Sequence, residues 1–363
     1  MTNTKYWPAD DESSSGLKEA AAALAAGGVV AFPTETVYGL GADARNTDAV
    51  RRIFEAKGRP SDNPLIVHVA SEEALDSLAE QVNDLERKLI RAFWPGPLTL
   101  VLPAKTVAVS PLVTAGLDTV AVRMPSHETA RRLIELSGCP LAAPSANRSG
   151  RPSPTAAAHV MEDLDGRIDG VLDGGPTGVG LESTVVRVLD GVIHILRPGG
   201  VTAEQLQAAA GPEARVETGG ESAAEGAPEA QTAEQPRSPG VKYTHYAPEG
   251  EMLLITADND DALIQAVRET ARQARDAGRK VGIIAAGEHA GRYEGAADEI
   301  LVCGSRQAPE TAAQQLYATL RECDRLGLDF IVAEGFPERG IGAALMNRMR
   351  KAAGGRVRSV PQP

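Results

Sequence analysis

The densest group of residues able to bind an anion lies in the sequence FEAKGRPSDNPLIVHV, from residue 54 to residue 69. Lys57 and Arg59, separated by one residue, stand at the end of a segment with helical periodicity, where two cations can converge on one phosphate. Pro60 and Pro64 restrict the backbone nearby and lower the entropy cost of holding these side chains. Cations are also favoured at an ordinary helix C-terminus by the helix dipole. The spacing is therefore consistent with an anion site and with a solvated surface pair.

Other polar residues follow short apolar segments along the first half of the chain. Open α/β sheets bind ligands at the carboxyl ends of their strands, so one shared pocket explains these positions more economically than separate coincidences. The residues are Thr34, Glu35, Thr36 and Tyr38 after VVAF, His68 in LIVHV, Arg123 in AVRMP, Ser145 and Asn147 in PSAN, Ser183 in GLEST, and Arg197 in ILRPG.

Each of these residues also has a structural explanation. The threonines could cap turns, and His68 could be a hydrogen-bonded histidine of the core. PSAN consists of common turn residues, the serine of GLEST could begin a strand, and the arginine of ILRPG could cap a hairpin. Arg123 is harder to explain in this way, because a guanidinium is rarely buried without a partner. A carboxylate ligand, Glu35 or Asp118 would satisfy it.

The pattern of apolar residues predicts an α/β fold. Helices are predicted at residues 16–26, 48–57, 72–93 and 127–137 and from about residue 155, with strands at VVAFPT, LIVHVA, LTLVLPA and TVAVRMP. STVVRVLDGVIHILRPG reads as a hairpin that turns at Asp190-Gly191, so the sheet is expected to be mixed rather than purely parallel.

Composition divides the chain into three parts. Residues 1–210 form the first domain. Residues 211–250 are predicted to be an acidic flexible linker that ends in the aromatic and basic segment SPGVKYTHYAP, because the tract before that segment is too poor in apolar residues to offset its ordering entropy. Residues 251–363 resume the alternation of strands and helices and predict a smaller parallel α/β domain.

Composition also excludes several classes of protein. The net charge of −12 is unfavourable for bulk attraction to nucleic acid. The three cysteines lie far apart in the sequence, and their spacing matches neither a zinc site nor a disulfide framework. The sequence also lacks a P-loop motif. The N-terminus lacks the order of charges and apolar residues expected of a signal peptide, and no apolar segment approaches the roughly 20 residues that span a bilayer.

The longer motifs are more specific. PTETVYGLGAD, KGRPSDNPLIVHV, WPGPLTLVL, VRMP, PSANRSG, ESTVV and RPG, in this order, resemble the YrdC-type domain of L-threonylcarbamoyladenylate synthases. SPGVKYTHYAP and the final GIGAALMNRMRKAA resemble the two-domain form of that family. The resemblance implies an N-terminal YrdC-like twisted mixed sheet with helices and a smaller, Rossmann-like parallel α/β C-terminal domain.

The resemblance implies a nucleotidyltransferase that makes L-threonylcarbamoyl-AMP and pyrophosphate from L-threonine, bicarbonate or CO2, and ATP, for N6-threonylcarbamoyladenosine at position 37 of tRNA. Mg²⁺ held mainly by the ATP phosphates is the implied cofactor, the cytoplasm is the implied location, and a tRNA threonylcarbamoyl transferase complex is the implied recipient of the product. SPGVKYTHYAP would act as an active-site lid.

The resemblance also implies roles for individual residues. Lys57 and Arg59 would act in catalysis at the phosphates. Threonine would be held by Thr36, His68, Arg123, Ser183 and the backbone at Ala143. ATP would be held by Arg59, Asn63, Thr119, Ser145, Asn147, Ser153, Arg197 and Tyr243.

Two rival functions are compatible with a cationic cleft. An RNA-binding or ribosome-maturation module could use it to bind a polyanion, but the acidic balance and the lack of interleaved basic and aromatic residues weigh against this. Carbamoyl transfer of the kind found in hydrogenase-maturation enzymes is the second rival. Those enzymes carry additional zinc-finger and acylphosphatase-like modules, for which this chain has neither the cysteines nor the length.

Overall fold

The computed structural model describes residues 3–9, 15–218 and 246–361. The chain separates into two compact units. The first contains residues 1–149, 154–178 and 182–242, and the second contains residues 150–153, 179–181 and 243–363. The described helices include none that is long and apolar enough to cross a membrane.

Within its described residues, the first unit has eleven strands in one sheet. They are β1 (Lys5–Pro8), β2 (Val30–Phe32), β3 (Gly39–Asp43), β4 (Ile66–His68), β5 (Leu98–Pro103), β6 (Thr119–Arg123), β7 (Leu141–Ala142), β8 (Gly170–Asp173), β9 (Thr184–Leu189), β10 (Val192–Arg197) and β11 (Arg215–Thr218).

The order across the sheet is β1-β8-β2-β3-β7-β4-β6-β5-β9-β10-β11. The β4/β6 and β5/β9 pairs are parallel, whereas β4/β7, β5/β6 and β9/β10 are antiparallel. The sheet is therefore mixed, which confirms the predicted fold class. The hairpin turns at Asp190 and Gly191, whose φ angles of 48° and 79° match a two-residue turn with both central residues left-handed.

The α-helices that accompany this sheet in the described part of the unit are α1 (Ser15–Ala25), α2 (Thr47–Lys57), α3 (Leu75–Leu78), α4 (Asp84–Phe93), α5 (Pro111–Thr114), α6 (Glu128–Ser137), α7 (Ala157–Leu164) and α8 (Ala203–Ala210). Helix α2 begins at Asn46, whose side chain accepts from the amides of Asp48 and Ala49. It ends at the left-handed Gly58, after which the amide of Arg59 donates to Phe54 at 3.0 Å. Both ends of the helix that carries Lys57 are therefore fixed by local sequence.

The central strands differ sharply between their two faces. Val67, Val122 and Leu100 point into a large apolar core shared with the helices. The alternate residues, Ile66 and Ala121 among them, form a small separate apolar cluster with Val101, Val185 and Leu196 on the opposite face. We call the side of the sheet that carries this second cluster the floor side. Polar residues of the candidate site project from this side.

The second unit contains a five-stranded sheet in which every pair is parallel. Its order is β14-β13-β15-β12-β16, with β12 (Glu251–Ala257), β13 (Val281–Ala285), β14 (Glu299–Val302), β15 (Phe330–Glu334) and β16 (Val357–Val360). The helices are α9 (Asp260–Asp276), α10 (Pro309–Arg325) and α11 (Gly342–Ala352). The predicted Rossmann-like parallel domain is confirmed.

Two segments differ from the sequence predictions. The single helix predicted at 72–93 is interrupted, because Ala79 is extended and Asn83 starts α4 anew with a capping box to Glu86. The first residues of the predicted linker are ordered, since β11 pairs in parallel with β10. The backbone hydrogen bonds of a sheet edge hold this polar strand without requiring a large apolar surface.

Candidate active site

The loops that carry the predicted site residues are joined directly by backbone hydrogen bonds. The amide of Ala146 donates to Tyr38 at 2.8 Å, and the amide of Leu40 donates to Pro144 at 2.8 Å. The TETVYG and PSAN segments therefore run side by side in antiparallel register. The amide of Ser149 donates to the carbonyl of Lys57 at 2.9 Å, which brings the end of α2 to the same place.

Lys57 is buried and faces the PSAN loop. Its ammonium donates to the carbonyl oxygens of Ser145 and Asn147 and lies 3.4 Å from the side-chain oxygen of Asn147. Ser145 Oγ also donates to that side-chain oxygen. Burial, reinforced by the charge of Arg59, lowers the pKa of Lys57 well below its ordinary value. The contact of Lys57 with a phosphate stays a prediction, and in this structure the side chain fixes the loop that carries Ser145 and Asn147.

The carboxyl ends of β4 and β6 bring the predicted threonine-binding residues together. His68 is aligned with Arg123 in the parallel register of these strands, so both side chains lie on the floor side of the sheet. The amide of Ala143 donates to Ile66 at 2.9 Å, and because β7 is antiparallel to β4 this places Ala143 beside the first residue of β4. His68 and Arg123 thus share one edge, and Ala143 lies two residues away from it along β4.

Arg123 is only 3% exposed and is held by three groups of the protein. Nη1 donates to Thr36 Oγ1 at 2.9 Å, Nε donates to the carbonyl of Gly96 at 3.3 Å, and Nη2 lies 2.7 Å from Glu35 Oε1. Of the two carboxylates considered from the sequence, Glu35 rather than Asp118 is therefore the partner. Thr34 is the turn residue of this segment, since its hydroxyl donates to the carbonyl of Val37 at 2.6 Å.

His68 is a buried, neutral imidazole. Burial, with a further contribution from the charge of Arg123, lowers its pKa to about 3. Its Nδ1 lies 3.2 Å from the carbonyl of Ile66, and the ring meets Phe32 edge-on at a centroid distance of 5.9 Å. At neutral pH the ring adds hydrogen-bonding capacity to the site without adding charge.

Ser183 and Arg197 extend the site across β5, β9 and β10. Ser183 precedes β9, and its hydroxyl lies 2.7 Å from Thr99 Oγ1 on β5. Arg197 at the end of β10 donates through Nη2 to the carbonyl of Ser183 at 2.9 Å and to its hydroxyl at 3.1 Å. The predicted threonine and ATP contacts are adjacent here.

Arg59 and Asn63 lie on the loop after α2. Arg59 is half-buried, and its Nη2 donates to the carbonyl of Asn63 at 3.3 Å. Asn63 is fully buried, yet neither its amide nitrogen nor its amide oxygen has a hydrogen-bond partner within the described part of the chain. An unsatisfied buried amide is costly and indicates a missing partner such as a ligand.

Three predicted residues are not gathered in the same way. Thr119 begins β6, so it shares the floor side with Arg123 but lies at the other end of the strand, about 13 Å away at 3.3 Å per residue. Ser153 is buried and falls in the second unit. Tyr243 lies outside the described residues, as does most of the predicted lid at 238–248.

Two further buried threonines, Thr99 and Thr177, were not among the residues predicted from the sequence. Thr99 stands on a strand in which Leu98, Leu100 and Leu102 alternate with Thr99 and Val101, and this alternation could have marked its side chain as facing the same side as Val101. Thr177, in the loop DGGPTG, is 3% exposed, and its hydroxyl has no hydrogen-bond partner within the described ranges. Nothing in its local sequence separates it from an ordinary turn threonine.

Comparisons with known proteins identify the family of the chain. A family model described as "Telomere recombination" (Sua5, YciO and YrdC) matches residues 22–199. A second, described as "Threonylcarbamoyl-AMP synthase, C-terminal domain", matches residues 201–354.

Curated relatives match over nearly the whole chain. The threonylcarbamoyl-AMP synthase of Bacillus subtilis is 50% identical over 98% of this chain and 99% of its own length. The Pyrococcus abyssi synthase is 47% identical over 94% of this chain and 95% of its own length. A crystal structure of P. abyssi Sua5 complexed with L-threonine has a TM-score of 0.87 and 44% identity, covering 99% of this chain and 100% of that one. The chain therefore belongs to the threonylcarbamoyl-AMP synthase family, in its two-domain form.

Proposed function

We propose that the cleft of this threonylcarbamoyl-AMP synthase holds L-threonine next to ATP and joins them through a carbamate. The observation that supports this most directly is the convergence of separate sequence motifs at neighbouring ends of the strands and of α2. The backbone bonds of Ala146, the buried contacts of Lys57 and the register of His68 with Arg123 link these motifs without an intervening element.

The threonine end of the cleft is centred on Arg123. A guanidinium matches a carboxylate bidentately, and Arg123 is already oriented by Thr36 and Gly96. The neutral ring of His68 and the hydroxyl of Ser183 are available for the substrate hydroxyl. The relative from P. abyssi was crystallised with L-threonine, which supports the same ligand for this chain.

The ATP end is formed by Arg59, Asn63, Ser145 and Arg197, with Thr119 further along the floor. Asn63 offers an amide without an internal partner, suited to a phosphate or ribose oxygen. Arg59 supplies positive charge from a half-buried position. Asn147 completes the proposed set of ATP contacts in the first unit, and the contacts of Ser153 and Tyr243 with ATP stay predictions from the sequence.

The reaction needs no protein nucleophile. The threonine ammonium releases a proton to solvent, the free amine attacks CO2, and the adduct releases a second proton to give a carbamate. The carbamate oxygen then attacks the α-phosphorus and expels pyrophosphate. Positioning and charge neutralisation by Arg59 and Lys57 supply the catalysis, as is general for phosphoryl-type transfer.

Mg²⁺ fits this site as an ion bound to the nucleotide. No group of three or more His, Cys, Asp or Glu side chains able to hold a metal is present among the described residues. Bound mainly through ATP oxygens, the ion would neutralise charge on the departing pyrophosphate. The amide oxygen of Asn63 and the hydroxyl of Ser145 are compatible protein ligands.

The fate of the product is also part of the proposal. A carbamate and a mixed anhydride both decompose in water, so a lid at residues 238–248 and prompt transfer are advantageous. We assign the protein to the cytoplasm and its product to a tRNA threonylcarbamoyl transferase complex acting at position 37.

Incubation with ATP, L-threonine and labelled bicarbonate tests the proposal. We expect threonine-dependent pyrophosphate and a labelled adenylate in equal amounts, and a loss of both when Mg²⁺ is chelated. Pyrophosphate release that does not depend on threonine would contradict it.

A further inference from the structure

Glu35 is the partner of Arg123 at the threonine end of the cleft, and no role toward the substrate has been assigned to it so far. Both side chains are largely buried, with exposed fractions of 13% for Glu35 and 4% for Arg123. Burial opposes the charged form, but the positive charge of Arg123, aided by the amide of Ser126, outweighs it and lowers the pKa of Glu35. Glu35 therefore carries a full negative charge at neutral pH.

The ion pair leaves hydrogen-bonding capacity unused. By strict geometry Nη2 of Arg123 and both carboxylate oxygens of Glu35 have no hydrogen-bond partner within the described ranges, although Nη2 lies 2.7 Å from Oε1 and the amide of Ser126 also acts on the carboxylate. Nη1 and Nε of Arg123 are already bound to Thr36 and Gly96. The protein thus places a positively charged hydrogen-bond donor, Arg123, beside a negatively charged hydrogen-bond acceptor, Glu35.

The neighbouring titratable groups do not compete for Glu35. The charge of Glu35 acts on His68 and His127, but burial lowers the pKa of both imidazoles below the ordinary value. Both are neutral at pH 7. A cation that enters the cleft would therefore find the carboxylate of Glu35 balanced only in part, by a guanidinium that does not hydrogen-bond to it in good alignment.

A free amino acid carries the complementary pair of charges on one carbon atom. We propose that Glu35 binds the α-ammonium group of the substrate while Arg123 binds its carboxylate, which makes Glu35 a specificity-determining residue for α-amino acids. The proposal rests on the proposed function. A hydroxy acid of the same skeleton lacks the ammonium and brings a negative charge close to Glu35, so it binds more weakly.

Calorimetric titration of the full-length protein tests this assignment. The ligands are L-threonine and the 2,3-dihydroxybutanoate of matching configuration, in which a hydroxyl replaces the amine. We expect Glu35→Gln to lower threonine affinity about 10- to 100-fold, as for a lost charge-assisted hydrogen bond, and to abolish the preference for threonine over the hydroxy acid. Glu135→Gln is the matched control, because Glu135 is exposed on α6 and pairs only with Arg132 among the ion pairs described. It should behave as wild type.

Glu35→Asp keeps the charge but moves the carboxylate back by one methylene group. It provides a second test of the assignment if Glu35→Gln fails to fold. It should fold and show an intermediate loss of threonine affinity. Unchanged or tighter threonine binding by Glu35→Gln would overturn the assignment and reduce Glu35 to a counter-ion of Arg123. Absence of threonine binding by the wild type would instead overturn the proposed function as well.

Discussion

At the scale of single residues, a substitution at Asn63 is expected to change ATP binding and stability in opposite directions. Its amide is buried without a partner in the described part of the chain, which costs the free protein about 1–3 kcal/mol. We expect Asn63→Leu to raise the free energy of unfolding of the ligand-free protein by about 1 kcal/mol and to abolish ATP binding. Urea unfolding and nucleotide titration measure the two effects. Destabilisation with normal ATP affinity would show that Asn63 serves the fold.

Lys57 and Arg59 stand two positions apart but occupy different surroundings. Lys57→Met removes the donor from the carbonyls of Ser145 and Asn147, so we expect loss of turnover together with about 1–3 kcal/mol of stability. Arg59→Met, at a half-buried position, should lose turnover with a change in stability within about 0.5 kcal/mol.

Pyrophosphate release and thermal unfolding of both variants, compared with wild type, measure this difference. If Lys57→Met retained full stability and lost only turnover, its role would be direct contact with phosphate rather than support of the loop. Wild-type turnover in Arg59→Met would remove that residue from the catalytic site.

At the scale of secondary structure elements, most helices and strands of this chain were predictable. Asn46 and Gly58 mark the ends of α2, and the alternation in TVAVR marks β6. The pairing of strands was not predictable, because the parallel neighbour of β4, which is β6, and its antiparallel neighbour, β7, both have short apolar sequences. The partner of Arg123 depends on that pairing, so the sequence left Glu35 and Asp118 equally open.

The β9/β10 hairpin tests whether its turn acts independently of the site. Asp190 and Gly191 both have positive φ, and a Cβ added to Gly191 would meet no atom within 4 Å. Gly191→Ala should therefore cost about 1 kcal/mol through backbone conformation alone, with unchanged kinetic constants. Urea unfolding measures the cost. Asp190→Asn is the control, since Asn tolerates the left-handed region, and a loss of activity in Gly191→Ala would show that the turn positions Arg197.

At the scale of the whole molecule, the second unit has the topology of a ligand-binding domain, but its own side chains contact one another at the edge of the sheet where a ligand would bind. The carboxyl ends of β13 and β15 meet at a switch point of the sheet, where such folds bind ligands. There the buried Glu334 accepts from Tyr293 at 2.5 Å and from the amide of Ala286 at 2.7 Å, and lies 3.1 Å from His289 Nδ1. These contacts favour a structural role for this edge.

The buried histidine makes the stability of the protein depend on pH. The pKa of His68 is about 3 in the folded protein and near 6.5 in the unfolded chain, so only the unfolded chain takes up this proton between these values. Stability from His68 is present above pH 6.5 and is lost as pH falls toward 3, at up to about 1.4 kcal/mol per pH unit. Urea unfolding between pH 7 and pH 5 should show a smaller loss for His68→Gln than for wild type. Equal slopes would mean that His68 is protonated in the folded state.

The central claim is that one cleft on the floor side of the first sheet holds both substrates. A crystal structure of the full-length protein soaked with L-threonine and a non-hydrolysable ATP analogue tests it most directly. We expect the threonine carboxylate at Arg123 and the triphosphate beside Arg59 and Asn63. Threonine bound away from Arg123, or phosphates that contact neither Arg59 nor Asn63, would contradict it.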